Sequence, residues 1–384
     1  MLLKVVDAST LAIPFHAPFK HATAERRTTQ TLWVAAHGSD RCVGYGEGCP
    51  REYVTSESLS TAHSFVARNR EHWLAGIRDF ETLSHWTQCH RDDIDSNPAA
   101  WAAVELAMLD LIGKETKRSV ESVLGLAELS GRYCYTAVLG DGSPEHFDAQ
   151  LSGYLKAGFQ AFKIKLSGDA ERDATKVRAL ERARVPPSVV RADANNLWSD
   201  AGTAIRYLGG LGFSFFAVEE PLKPGDYEGM HRIASTLDTR IILDESLVRS
   251  DQLGLLVEPT NRWIVNLRVS KMGGLIRSLE LVSAARPRGL RIIVGAQVGE
   301  TSLLTRAALA IANCSRDVLI GQEGAFGTHL LTHDVVQPSI MFGPRGELDT
   351  TSLPAGRGGF SLEVRDQGAY REGMDCRRQA LSEP

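Results

Sequence analysis

The chain has 384 residues, 43% of them hydrophobic and 23% charged, which is enough for about two globular domains of ordinary composition. Its formal net charge of -4 gives no basis for binding a polyanion, so we expect a small-molecule partner and no nucleic acid. No apolar stretch approaches the roughly 20 residues of a membrane span, the N-terminus lacks a secretory pattern, and the six cysteines show no CxxC spacing. These features predict a cytoplasmic protein with no membrane partner.

The first 50 residues predict antiparallel strands. The segments LWVAAHG and CVGYGEG are rich in β-forming residues and flank the turn GSD, which indicates a hairpin. The polar segment 17–29 predicts a loop, either over a site or simply solvated. GYGEG has the glycines of a nucleotide-binding loop, but CPREY follows it instead of a helix with a third glycine, so we predict no nucleotide site.

Residues 55–130 predict helices. A helical spacing of apolar residues begins at Leu59, and Asn97 followed by Pro98 is a typical N-cap and first-turn pair for a second helix. Strands followed by helices predict an α+β domain over residues 1–130.

From Tyr133 onward, a strand recurs about every 25 residues, which is the period of a β-α unit. The eight predicted strands are YCYTAVLG (133–140), AFKIKLSG (161–168), SVVRADAN (188–195), FAVEEPL (216–222), RIILDES (240–246), WIVNLRVSK (263–271), RIIVGAQ (291–297) and VLIGQEG (318–324). With helical segments between them, they predict an α/β fold over 131–330 that closes into a barrel, with an open doubly wound sheet as the alternative. Residues 331–384 lose the period and are expected to return along the first domain.

Charged residues, and one asparagine, stand at the C-terminal ends of five successive predicted strands, the second to the sixth. They are Lys163 and Lys165, then Asp193 with the amide Asn195, then Glu219, then Asp244 with Glu245, and finally Lys271. Strands two and six are opposite in an eight-stranded ring, so Lys165 and Lys271 are expected to face each other. Carboxylates from consecutive strands can converge, and oxygen ligands suit Mg²⁺, with Mn²⁺ as a substitute.

Each of these motifs alone is also compatible with a solvated strand face, a turn or a helix cap. Their joint occurrence favours a functional site. Side chains alternate along a strand, so Glu220 and Glu245 are expected to face away from the barrel axis.

The motifs KIKLSG, RADANNLW, VEEPL, ILDES, RVSKMGG and GAQVGETS, in this order and spacing, resemble those of the enolase superfamily. The lysine placement resembles its muconate lactonizing enzyme subgroup, which includes dipeptide epimerases, and YGEGCPREYVTSES resembles the capping segment of those epimerases. The resemblance implies a modified TIM barrel, (β/α)7β, with an α+β capping domain.

The resemblance also implies roles for the charged residues. Asp193, Glu219 and Asp244 would bind Mg²⁺. Lys165 and Lys271 would be the acid/base pair, and Lys163 would be the cation beside the substrate carboxylate.

Five further residues are expected around this set, either to orient the ligands and lysines or to contact the substrate. They are Asn195, Glu245, Gln297, Glu300 and Glu323. Related dipeptide epimerases carry an Asp-x-Asp at strand eight, but this chain has GQEGAFGTHLL, with Glu323 as the only acid. This departure argues against an unmodified dipeptide substrate.

Two lysines on opposite faces of a planar ene-diolate allow one to remove a proton and the other to return it. We therefore predict a racemase or epimerase of an amino-acid-derived carboxylate, of the dipeptide or N-acyl amino acid type. Muconate-type cycloisomerisation and syn-dehydration use the same residues and stay open, as does a non-catalytic binding role. A homo-oligomer is the expected assembly.

Overall fold

The computed structural model describes residues 3–21, 24–39, 41–354, 356–365 and 371–372. The strands are β1 (Val5–Leu11), β2 (Pro14–His21), β3 (Ala24–Thr28), β4 (Thr31–His37), β5 (Val43–Gly48), β6 (Arg132–Cys134), β7 (Ala137–Leu139), β8 (Phe162–Lys165), β9 (Val190–Asp193), β10 (Ala217–Glu219), β11 (Ile241–Leu243), β12 (Trp263–Leu267), β13 (Arg291–Val294), β14 (Leu319–Gln322), β15 (Glu347–Asp349) and β16 (Arg371–Glu372). The helices are α1 (Glu52–Thr55), α2 (Leu59–Gly76), α3 (Phe80–Cys89), α4 (Arg91–Asp95), α5 (Pro98–Thr116), α6 (Val120–Val123), α7 (Pro144–Ala157), α8 (Ala170–Arg182), α9 (Ala201–Gly210), α10 (Tyr227–Leu237), α11 (Val269–Met272), α12 (Leu275–Ala285) and α13 (Ser302–Cys314).

An antiparallel sheet forms the N-terminal part of the molecule, with strand order β16-β1-β4-β5. The predicted hairpin is confirmed, because β4 and β5 pair antiparallel from Leu32 with Gly48 to His37 with Val43; Asp40 of the predicted GSD turn lies outside the described residues. The predicted loop over 17–29 is wrong for 17–21 and 24–28, which lie in the antiparallel strands β2 and β3, while residues 22 and 23 lie outside the described residues. Their polar residues pair through the backbone, which composition alone does not reveal.

Helix α5 packs directly on β5 because glycine occupies every second position of that strand. A Cβ atom on Gly44, Gly46 or Gly48 would lie within 2.1 Å of a backbone carbonyl oxygen of the helix. The glycines of GYGEG therefore serve close packing of a helix on a strand. The far side of α5 packs on other helices, so the helix is buried all around between residues 98 and 113, not on one face alone.

The start of α5 follows the predicted Asn97-Pro98 pair, but Asn97 makes no side-chain cap. The carboxylate of Glu57 accepts the backbone N–H groups of Ala99 and Ala100 at 2.8 and 2.9 Å instead. A carboxylate at a helix N-terminus satisfies free donors and complements the helix dipole.

Eight parallel strands form the second sheet in the order β7 to β14, and each pairs with the next. A parallel bridge joins Tyr135 to Gln322, where the Thr136 N–H donates to the Gln322 carbonyl oxygen at 2.8 Å, so the first and last strands meet. This closure confirms the predicted barrel and excludes the open doubly wound sheet. Together with the N-terminal sheet and its helices, it confirms the predicted fold class.

The sixth barrel strand is shorter than predicted. Strand β12 ends at Leu267, and the single helical turn α11 begins at Val269. Lys271, predicted at the end of the strand, therefore lies on a helical turn and points in a different direction.

The segment after residue 330 contacts both parts of the chain. Strand β15 pairs with β6, β16 pairs with β1, and the Phe360 N–H donates to Asp110 on α5 at 2.9 Å. The domain boundaries at 130 and 330 stay predictions. None of the described helices is long and apolar enough to cross a membrane.

Candidate active site

The parallel register places the predicted site residues side by side. Asp193 is the register partner of Lys165 on one side and of Glu219 on the other. Asp244 follows β11, the next strand in the sheet. The three carboxylates thus come from adjacent strand ends, as predicted.

Lys163 is the central cation of this group. Its Nζ lies 2.6 Å from Oε2 of Glu219 and 3.0 Å from Oδ2 of Asp193, and it donates to Oε2 of Glu323 at 3.0 Å. The Lys163 side chain is only 3% exposed, so these pairs are weakly screened by solvent. Lys163 thus links three acidic side chains beneath one cavity.

Lys165 holds the neighbouring position on the same face of β8. Its Nζ lies 2.5 Å from Oδ2 of Asp193 and donates to Oδ1 of Asn195 at 2.9 Å. Burial alone would raise the pKa of Asp193, but the charges of Lys163 and Lys165 outweigh it and lower this pKa below its ordinary value.

Asp244 is held by Arg268, which follows β12, the strand next to β11. A guanidinium nitrogen of Arg268 contacts Oδ2 of Asp244, and another donates to Oε1 of Gln297 at 2.9 Å. Arg268 lines the same cavity as Lys165. The sequence interpretation missed it, although Arg268 stands two residues after the inward-facing Asn266 and shares its face.

Lys271 does not line the cavity. Its side chain is fully buried, and its Nζ donates to the carbonyl oxygens of Asp244 and Asn266, both at 2.7 Å, and to Oδ1 of Asp244 at 3.1 Å. The prediction that Lys271 faces Lys165 across the cavity is therefore wrong, because the chain turns into a helix at Val269.

Glu220 and Glu245, the two acids next to predicted metal ligands, differ in whether they line the cavity. Glu220 is buried and accepts the N–H groups of Asp244 and Ser246 at 2.6 and 2.8 Å, so it faces away from the cavity as expected. Glu245 lines the cavity, which corrects the expectation that it faces away from the barrel axis. Burial, with repulsion from Asp244, raises the pKa of Glu245 well above its ordinary value.

The cavity opens to solvent, and its empty space, including the open solvent at its mouth, is about 870 Å³. All of the predicted surrounding residues line it: Asn195, Glu245, Gln297, Glu300 and Glu323. Glu300 accepts the Gln297 N–H at 2.6 Å, and burial raises the pKa of Glu300 to about 7. Tyr53, Phe326 and Leu330 add an aromatic and apolar part to the wall.

Two further polar residues complete the site and were not predicted. Arg191 on β9 lies 3.2 Å from Oε1 of Glu323, which directly follows β14, the last strand of the barrel. Asn266 donates to Oε1 of Glu219 at 3.0 Å. Arg191 precedes Asp193 by two residues, so the alternation of side chains along a strand predicts that the two share a face.

The carboxylates fit a hard cation by their chemistry. Asp193, Glu219 and Asp244 offer only oxygen donors and are at most 1% exposed. Burial, with repulsion from Asp193, raises the pKa of Glu219 to about 7 against the opposing charge of Lys163. A nearby divalent cation would favour the charged form of Glu219. In the described part of the chain, no three His, Cys, Asp or Glu side chains are grouped closely enough to hold a metal ion. Lys163 and Arg268 contact these acids.

The chain is similar in sequence to a known protein family and to several of its relatives. A family model described as Enolase C-terminal domain-like matches residues 146–366. The chain is 27% identical over 358 residues to an L-Lys-D/L-Arg epimerase from Methylococcus capsulatus, covering 92% of this chain and 98% of the relative. It is 29% identical over 319 residues to an L-Ala-D/L-Glu epimerase from Bacillus subtilis, covering 82% and 85%.

A solved structure shares the fold. The dipeptide epimerase from Enterococcus faecalis, crystallised with Mg and the dipeptide L-Leu-L-Tyr, superimposes with a TM-score of 0.81 at 23% sequence identity. The match covers 94% of this chain and 100% of that one. The two chains therefore have the same architecture over nearly their whole length.

Proposed function

Because the chain belongs to the Enolase C-terminal domain-like family of the enolase superfamily, we propose that it removes a proton α to the carboxylate of an amino-acid-derived substrate and so catalyses racemisation or epimerisation. The observation that carries this proposal is the convergence of Lys163 and Lys165 with the carboxylates of Asp193, Glu219 and Asp244 at one end of the barrel.

Membership confirms the predicted resemblance to this superfamily and its muconate lactonizing enzyme subgroup. It also confirms the predicted enzyme class, an isomerase of that superfamily, in agreement with the epimerase relatives.

The proposed cofactor is Mg²⁺, with Mn²⁺ as a substitute, held by Asp193, Glu219 and Asp244. When bound, such an ion would stabilise the negative charge that develops on the substrate carboxylate as the α-proton leaves. Support comes from the all-oxygen donor set and from the Mg in the related dipeptide epimerase structure.

The lysines of β8 have separate proposed roles. Lys165, 18% exposed and lining the cavity, removes the α-proton. Lys163, beneath it and 3% exposed, keeps a positive charge near the substrate carboxylate. Asn195 positions Nζ of Lys165 through their 2.9 Å hydrogen bond.

The proposed substrates are dipeptides or N-acyl amino acids, since the relatives include a dipeptide epimerase and an N-succinyl-L-Arg/Lys racemase from Bacillus cereus, which is 26% identical over 325 residues. The cavity suits a molecule with both charged and apolar parts, since Arg268 and Glu245 share its wall with Phe326 and Leu330. Glu323, the only acid of strand eight, is paired with Lys163 and Arg191. It is therefore a weak candidate for binding a substrate ammonium group, which favours N-acylated compounds.

A second candidate is a reaction that needs one base only, either muconate-type cycloisomerisation or syn-dehydration. The observation that favours it is the burial of Lys271 away from the cavity.

The test is incubation of the enzyme with Mg²⁺ in D₂O and single-enantiomer dipeptides, N-succinyl amino acids, hydroxy acids and muconates. NMR reports α-deuterium, and chiral chromatography reports inversion. Deuterium uptake with formation of the other epimer supports the proposal. Ring closure or loss of water supports the second candidate. If Lys165→Met exchanges as fast as the native enzyme, while the exposed Lys156→Met serves as matched control, the assigned base is wrong.

A further inference from the structure

On opposite sides of the cavity stand a lysine and an arginine, Lys165 and Arg268, although two lysines, Lys165 and Lys271, were expected there. Lys165 stands on the second strand of the barrel, and Arg268 follows the sixth, four strands away in a closed ring of eight. Lys165 contacts Asp193 at one end of the acidic group, and Arg268 contacts Asp244 at the other. The two cations therefore approach the carboxylates from opposite sides.

Lys271 cannot replace Arg268 in this arrangement. All three of its ammonium donors are used within the fold, on the carbonyl oxygens of Asp244 and Asn266 and on the Asp244 carboxylate. Its side chain has no exposed surface, whereas that of Lys165 is 18% exposed. Lys271 is a positioning residue that holds Asp244.

We infer that Arg268, and not a second lysine, faces Lys165 across the substrate, so that a lysine exchanges the α-proton on one face of the substrate only. This inference rests on the proposed function and specifies how the same site would work.

The chemistry of the two side chains explains the asymmetry. At the Lys165 face, the α C–H bond breaks, an N–H bond forms at Nζ, and the electron pair moves into the ene-diolate. An ammonium group carries three hydrogens, so a solvent deuteron can return to the same carbon. A guanidinium group does not lose its proton in proteins, so it cannot take the α-proton at the other face.

Arg268 still has a role at the reacting centre. Its side chain is 12% exposed, and its planar guanidinium contacts both Gln297 and Asp244 at the cavity wall. A fixed cation there stabilises negative charge on the substrate without reorganising. Protonation on the Arg268 face must then come from water, which makes inversion slower than exchange at the Lys165 face.

The first experiment follows both epimers of each exchanging compound in D₂O with Mg²⁺. We expect one epimer to take up deuterium with retention at least about tenfold faster than the other does. Comparable exchange with retention from both epimers would overturn the inference and leave the proposed function intact. Absence of exchange from every compound would overturn the proposed function, and the inference with it.

The second experiment needs no substrate. Reductive methylation of the folded protein with formaldehyde, followed by peptide mass mapping, measures which lysines are reachable. We expect modification of the exposed Lys156 and, more slowly, of Lys165, but none of Lys271 until the protein is unfolded in guanidinium. Modification of Lys271 at the rate of Lys165 in the folded protein would contradict the inference.

A variant pair separates charge from proton transfer at position 268. Arg268→Lys places an ionisable amine there and is expected to bring the retention exchange of the two epimers closer to equal. Arg268→Gln removes the charge and is expected to slow both epimers without equalising them. If Arg268→Lys folds, judged by circular dichroism, yet leaves the ratio unchanged from that of the native enzyme, Arg268 does not set the asymmetry.

Discussion

Nζ of Lys271 lies 3.1 Å from Oδ1 of Asp244 and donates to the carbonyl oxygen of the same residue at 2.7 Å. Burial lowers the pKa of Lys271, although the Asp244 charge opposes this shift. The pair ties the helical turn after β12 to the residue after β11. Lys271 therefore holds Asp244 in place without lining the cavity, while Arg268 lines it.

Replacing Lys271 by Met should destabilise the fold. The change removes one of the two cations that contact the buried Asp244 carboxylate, together with a donor to two buried carbonyl oxygens, which costs on the order of 3 to 5 kcal/mol of unfolding free energy. Denaturant unfolding measures this loss. Lys156→Met, at an exposed position of α7, is the matched control and should change stability by less than about 0.5 kcal/mol. If Lys271→Met and Lys156→Met have the same unfolding free energy, the contacts of Lys271 do not stabilise the fold.

Replacing Glu219 by Gln should impair metal binding. The amide keeps the shape of the side chain but removes one of three anionic donors, so Mg²⁺ affinity should fall by at least about 100-fold. Isothermal titration with MgCl₂ measures the affinity without any substrate, and chelator treatment of the native enzyme should abolish α-proton exchange until Mg²⁺ is restored. Glu228→Gln, on the exposed face of α10, should leave the affinity unchanged. Tight Mg²⁺ binding by Glu219→Gln would exclude Glu219 as a ligand.

Glu105 should make stability depend on pH. It is fully buried on α5, accepts the N–H groups of Leu275 and Ile276 with Oε1, and burial raises its pKa to about 8 from 4.5. Between these values the unfolded chain has lost the proton that the folded protein keeps, so stability falls as pH rises from about 4.5 to 8.

Glu105→Gln retains an acceptor oxygen and cannot ionise. We expect it to remove a pH-dependent loss on the order of 3 kcal/mol between pH 5 and pH 8, measured by unfolding at several pH values. Glu181→Gln, exposed near the end of α8, should keep the native pH profile. If the stability of Glu105→Gln depends on pH as that of the native protein does, a group other than Glu105 causes the pH dependence.

Gly46 should not tolerate a side chain. A Cβ atom there would lie 1.9 Å from the carbonyl oxygen of Ala103 on α5. Gly46→Ala must push the helix from the strand and should lower the melting temperature, at a cost of about 1 to 3 kcal/mol or more. Gly76→Ala, at the end of α2 with no atom within 4 Å of the new Cβ, should be neutral or slightly stabilising. If Gly46→Ala and Gly76→Ala have the same melting temperature, the close packing of α5 on β5 is not required for stability.

The repeating strand pattern was readable from the sequence because each barrel strand is a short apolar run that ends in polar residues. The positions of Lys163, Lys165, Asp193 and Glu219 followed directly, since side chains two apart on a strand share a face and parallel strands end at the same edge. The same rule indicated Arg191 and Arg268, which the sequence interpretation nevertheless overlooked.

Other features depended on contacts between distant segments. The N-terminal segment 17–29 is polar, and only its backbone pairing makes it a hairpin. The GYGEG glycines have a packing role because α5 lies on β5.

The sequence by itself determined the eight-strand period, the family motifs and the set of charged residues at the strand ends. Only the tertiary structure decided which cation faces Lys165. The local sequence does not decide whether β12 continues to Lys271 or stops at Leu267. The packing of α11 beneath Asp244 favours the strand that stops at Leu267. That turn buries the lysine and leaves the arginine at the cavity.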